Sequence, residues 1–125
     1  MNKEIESQIG VINSALLNDD IKFFKIGKTD NPKERFAGED YDDYSLASVI
    51  AYSDDALEID QAEKDLIDYY LKHPILKKKC RNEQLGGGNS HARFLYIIAS
   101  YNIRNIYDAL LQKKPLISDF KIIEL

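Results

Sequence analysis

Residues 55–72 constrain the chain most. Asp55, with Glu58 three residues later, forms a capping-box pattern, His73-Pro74 closes the segment, and apolar residues recur between them at helical spacing. At about 100 degrees per residue, Ala56, Ile59, Ala62, Leu66, Ile67 and Tyr70 fall on one side of a helix. That stripe needs a second layer to cover it, and short β-branched and aromatic runs supply one. Residues 21–28, Ile-Lys-Phe-Phe-Lys-Ile-Gly-Lys, predict a strand. A short helix follows, started by Pro32 under an Asp30 or Asn31 cap, leaving near Gly38 and carrying Arg35. Residues 44–52 predict a strand with both faces largely buried; 92–99 predict a strand, and 120–125 a closing strand. Ile103, Ile106, Tyr107, Leu110 and Leu111 form the stripe of a further helix stopped by Pro115. The expected class is α+β, a small antiparallel central sheet flanked by helices. Residues 1–20 leave two readings open. Ile5, Ile9, Ile12 and Leu16 recur at helical spacing, while 8–16 could equally be a strand turned back by Asn18-Asp19-Asp20.

A chain of 125 residues, 44% hydrophobic and 30% charged, has material for one core and not for two. Its apolar runs are short, the longest being 94–99, and the first residues lack an export pattern, so a cytoplasmic protein without a membrane span is expected. One cysteine, Cys80, cannot form an internal disulfide, and with only His73 and His91 no zinc-ligand spacing is present.

Charge is distributed unevenly. The net charge is −4, yet residues 38–68 alone carry eleven acids against one lysine. The remainder is therefore basic, with two clusters: Lys22, Lys25, Lys28, Lys33 and Arg35, then Lys72, Lys77, Lys78, Lys79 and Arg81. Each is either a solvated surface or a phosphate-binding patch, and local patches rather than net charge govern contact with nucleic acid backbones. A loop is expected from about Pro74 to His91, carrying the second basic cluster and Gly86-Gly87-Gly88-Asn89-Ser90, which has the composition of a mobile segment and lacks the order of a nucleotide-binding loop.

One acid is misplaced. Glu63 falls inside the apolar stripe, four residues from both Ile59 and Ile67, whereas Glu58, Asp65 and Asp68 project to the opposite side. A carboxylate there loses water and calls for a cation or hydrogen-bond donors. It is either an edge residue paired with a nearby Lys or Arg, or a metal ligand or phosphate-site acid.

The order Lys25-Ile26-Gly27-Lys28-Thr29, Arg35 on a short helix, a buried strand, then Glu63 with Leu66-Ile67 resembles the GIY-YIG nuclease superfamily, in a lysine variant found in phage and bacterial proteins. The resemblance covers roughly residues 8–72 as the core, with a looser echo over 91–125 as a strand-helix-strand extension of the same single domain, 1–125. It implies that Lys25-Ile26-Gly27 is the second name-giving tripeptide and that the first falls on Gly10-Val11-Ile12 in a preceding hairpin strand. It also implies a metal-dependent endonuclease hydrolysing phosphodiester bonds in DNA, with Glu63 binding Mg2+ or Mn2+ and Arg35 clamping the phosphate. Lys25 stands where a catalytic tyrosine is usual, and Ile12 at the other tyrosine position cannot move a proton. Tyr41, Tyr44 and Tyr52 are the candidate replacement phenols, and the family's late asparagine has no clear match, Asn82 and Asn89 both lying in the loop before His91. Lys22, Lys28, Lys33, Lys77, Lys78, Lys79 and Arg81 complete the expected nucleic-acid contacts. DNA is the expected partner and RNA the alternative. So small a nuclease would cut with low selectivity, act as a homodimer, or rely on a protein partner for targeting. The alternative is a catalytically degenerate module of the same fold that binds nucleic acid or a protein.

Overall fold

The computed structural model describes residues 1–37, 44–88, 91–101 and 121–124. Its elements run α1 (Lys3–Leu16), β1 (Ile21–Thr29), α2 (Pro32–Phe36), β2 (Leu46–Tyr52), α3 (Ala56–Lys72), β3 (Phe94–Tyr101) and β4 (Lys121–Glu124), with a 3-10 turn over Leu76–Lys78. The four strands form one antiparallel sheet in the order β1-β3-β2-β4. The α+β class read from the sequence is the class observed, and the helix expected over 103–115 lies outside the described residues. None of the helices described is long and apolar enough to cross a membrane.

α3 starts where expected, with Asp55 accepting from the Leu57 amide at 3.0 Å. Glu58 does not reach back to Asp55 itself. Its carboxylate accepts from Ser53 Oγ, which in turn accepts from the Asp55 amide, so a serine relays the capping box. Ile59, Ala62, Leu66, Ile67 and Tyr70 are buried, and they pack on one sheet face against Phe24 and Ile26 of β1 and Leu95, Ile97 and Ala99 of β3. A bulge between Val49 and Ala51 lets both Ile50 and Ala51 enter that core. The opposite face carries a smaller cluster of Phe36, Ala47, Tyr96 and Ile98 beneath α2.

The first residues resolve as a helix: Ile5, Ile12 and Leu16 are buried on α1 against the α3 side of the sheet. Gly10-Val11-Ile12 is therefore helical and cannot be a tripeptide in a hairpin with β1. The neighbour of β1 is β3 instead, with Gly27 opposite Tyr96. α1 is tied to α3 through Asn13, whose Nδ2 donates to Tyr69 Oη at 2.8 Å and whose Oδ1 accepts from Tyr70 Oη at 2.9 Å. Tyr70 is fully buried, which holds its phenol well above the ordinary tyrosine range. Asn13→Ala strands that hydroxyl in the core and is expected to cost about 2 kcal/mol in urea unfolding; an unchanged midpoint would refute this role.

The segment after α3 is not the loose loop that its composition suggests. The Phe24 amide donates to Lys79 O and the Arg81 amide to Phe24 O, so residues 79–81 run beside β1 as a short parallel edge. Asn82 extends it, its side chain donating to Ile26 O and accepting from the Ile26 amide, both at 2.9 Å. The outer edge of β1 is thereby occupied by its own chain.

Candidate functional site

A cleft of about 610 Å3 opens where the outer edge of β1 meets α2, α3 and the 82–88 loop. Strand alternation splits the β1 side chains around that edge. Ile26 and Lys28 point to the α3 side, Lys25 and Gly27 to the α2 side, and all four line the cleft. Arg35 reaches it from α2. That helix is set by Asn31, whose side chain accepts from the Glu34 amide at 3.2 Å, by Pro32 in its first turn, and by the buried Phe36, which leaves Arg35 exposed at the rim. Arg81 arrives on the 79–81 edge, its guanidinium stacked 4.9 Å above the Phe23 ring. Among the described residues, four cations thus face two carboxylates, Glu63 and Glu83.

Glu63 is the chemically unusual member. It is only 5% exposed, and its Oε1 has no hydrogen-bond partner. The Gly87 amide donates to the carboxylate, and Lys28 Nζ stands 4.0 Å from Oε1. Burial raises the Glu63 pKa, and the nearby ammonium only partly opposes it. Lys28, 6% exposed, donates instead to Asp60, whose carboxyl is held below its ordinary range by that bond and by Lys64. Glycine roofs the acid: Gly86, Gly87 and Gly88 all have positive φ, and a Cβ on Gly86 would stand 2.6 Å from Glu63 Oε1.

The three residues read as catalytic, Lys25, Arg35 and Glu63, therefore share one cleft, and Lys28 and Arg81 join them. The other expected phosphate contacts are elsewhere. Lys22, Lys33, Lys77 and Lys78 are exposed but do not line the cleft. Lys79 turns inward, donating to Leu16 O at 2.9 Å and Asn18 O at 3.0 Å, so it caps the end of α1 rather than offering a charge to a ligand. Asn82 lines the cleft with its amide spent on Ile26, while Asn89 and Tyr41 lie outside the described residues. Neither other candidate phenol reaches the site: Tyr44 packs edge-on against Phe23, and exposed Tyr52 donates to Asp54.

Among the described residues the phenol lining the cleft is Tyr96, which the sequence placed only within a strand. Its ring lies across Gly27 and packs edge-on against Phe36 at 5.0 Å. The signal that could have found it is Gly27 itself, because a glycine inside a strand marks a close approach by another group.

Among the described residues no group of three His, Cys, Asp or Glu side chains converges on a metal site. One buried carboxylate with an unpartnered oxygen suits the other mode of holding magnesium, in which one protein ligand is completed by waters and substrate phosphate. On that chemistry Glu63 fits a divalent cation. No protein-family model, no curated protein and no solved structure matches the chain.

Proposed function

We propose that the cleft binds and hydrolyses a phosphodiester of nucleic acid, DNA being the expected substrate, with a divalent cation held at Glu63. The observation that carries this reading is the convergence in one cleft of Glu63 from α3 and Arg35 from α2. The planar guanidinium of Arg35 suits the non-bridging oxygens of a phosphate, and Lys25 and Arg81 neutralise the phosphates to either side. Gly27 lacks a side chain and so admits the Tyr96 ring over β1, which brings the phenol into the cleft beside Lys25 and Arg35. The Tyr96 hydroxyl, over Gly27 in the same cleft, is the proton-handling group of this reading, taking the role that Ile12 cannot fill. Bound magnesium would supply Lewis-acid stabilisation of charge growing on the phosphate. The alternative, a binding module without chemistry, draws support from the burial of Glu63 Oε1 beneath Gly86.

Supercoiled plasmid tests the two. The nuclease reading expects nicking with Mg2+ or Mn2+, none in chelator, and a loss on the order of a hundredfold with Arg35→Ala, removal of one fixed transition-state cation. Lys25, Arg35 and Arg81 together give a log-log slope of binding on salt of about −3. Binding with that slope and no nicking would leave the non-catalytic module, and binding to neither DNA nor RNA would leave a protein partner.

A further inference from the structure

Beside the cleft stands a carboxylate that the proposed reaction does not use. Asp60 lies one helical turn before Glu63 on α3 and faces β1. Its Oδ1 accepts from Lys28 Nζ, while its Oδ2 pairs with Lys64 Nζ at 3.0 Å. Lys28 is a desolvated ammonium, and a buried cation takes the strongest anionic partner within reach. Among the described residues, two carboxylates pair with it: Asp60 in direct hydrogen bond, and Glu63 at 4.0 Å. They compete for one charge, and Asp60 holds it.

We infer that Asp60 is a positioning residue whose task is to keep the Lys28 ammonium off Glu63, so that Oε1 stays available to a divalent cation. This rests on the proposed reading of Glu63 as the cation's ligand. An ammonium in contact with Oε1 would occupy the oxygen's lone pairs and repel a second positive ion at the same place. Without the Asp60 charge, a shift of about 1 Å along the flexible lysine stem would bring that contact about. The pairing with Lys64 fixes the second Asp60 oxygen, so the carboxylate presents one defined acceptor to Lys28. The unpartnered state of Glu63 Oε1 and the fully paired state of Asp60 are then two sides of one arrangement.

The test needs no nucleic acid and no turnover. Mn2+ is titrated into the full-length protein, and the free ion is followed by electron paramagnetic resonance. The wild type is expected to bind, and Asp60→Asn to bind about tenfold more weakly, the usual scale for a group that orients a metal ligand. Adding Lys28→Met to Asp60→Asn should restore wild-type affinity or better, which a loss of local packing would not allow. In the metal-free protein, nitrogen NMR of the lysine ammonium groups should show Lys28 coupled to the Asp60 carboxylate in the wild type and to Glu63 in Asp60→Asn. Wild-type affinity in Asp60→Asn, or a loss that Lys28→Met leaves in place, would overturn the positioning role while leaving Glu63 as a ligand. No Mn2+ binding by the wild type would overturn both. If Asp60→Asn does not fold, Lys28→Met alone decides: tighter Mn2+ binding than wild type is expected, and equal or weaker binding refutes the inference.

Discussion

Glu63→Gln is expected to lower plasmid nicking by a thousandfold or more, on the order of what one transition-state electrostatic contact supplies, without loss of the fold. Its companion Glu63→Met is expected to melt higher than the wild type, by about 4 °C, corresponding to about 1 kcal/mol. The two results belong together. Glu63 is buried beneath Gly86, its Oε1 has no hydrogen-bond partner, and its charged form is disfavoured by lost hydration. Removing one member of a buried ion pair usually destabilises by stranding the other. Here Lys28 keeps its bond to Asp60, so no charge is stranded, and the loss falls only on the Gly87 amide. The sign with pH follows from the raised pKa. Between the unfolded and the folded value the native state holds the extra proton, so wild-type stability falls as pH climbs through that window. The melting gap between Glu63→Met and wild type should therefore be widest at neutral pH and close as pH drops below the ordinary glutamate range. Wild-type nicking by Glu63→Gln would remove Glu63 from the site. A Glu63→Met protein that melts well below the wild type at pH 7 would make the acid a structural ion-pair residue.

Why Glu63 was legible and Tyr96 was not comes down to range. The position of Glu63 in a helical stripe is a local fact, because a period of 3.6 residues places it without knowledge of any partner. Arg35 was local too, since Asn31 and Pro32 set the helix that carries it. Tyr96 needed to be known as the cross-strand neighbour of Gly27, and that pairing joins segments far apart in the chain with β3 inserted between β1 and β2. Alternation along 92–99 could mark a strand but not its place in the sheet. The same blindness put Gly10-Val11-Ile12 beside β1, where the helical spacing of Ile5, Ile12 and Leu16 in fact described α1. Lys79 and Asn82 failed for another reason. Composition presents them as a basic, polar loop, whereas their side chains are committed to backbone groups of distant residues that no local pattern encodes.

Gly27→Ala is expected to cost about 3 kcal/mol of stability and to abolish cleavage together, a large effect for one methyl group on a strand. An added Cβ would overlap Oη and Cζ of Tyr96 and come within 2.8 Å of Cε2. The ring cannot retreat freely, being 3% exposed and packed edge-on against Phe36. Overpacking of this kind costs 1–3 kcal/mol, and here the obstruction is an aromatic ring rather than the far end of a flexible chain. Alanine is otherwise acceptable on a strand, so the penalty should belong to the ring and not to the backbone. Tyr96→Val in the Gly27→Ala background separates the two effects: stability should return by at least half while cleavage stays absent, because the space is restored and the hydroxyl is gone. Tyr96→Phe alone should retain the ring's packing on Gly27 and lose on the order of a hundredfold in nicking, the scale of one general acid-base group. The coupling between positions 27 and 96 in that cycle is expected to exceed about 1 kcal/mol, as for residues in direct contact. Gly27→Ala that folds and cleaves like the wild type would show that the tyrosine moves aside without consequence, and Tyr96 would lose its place in the proposed reaction.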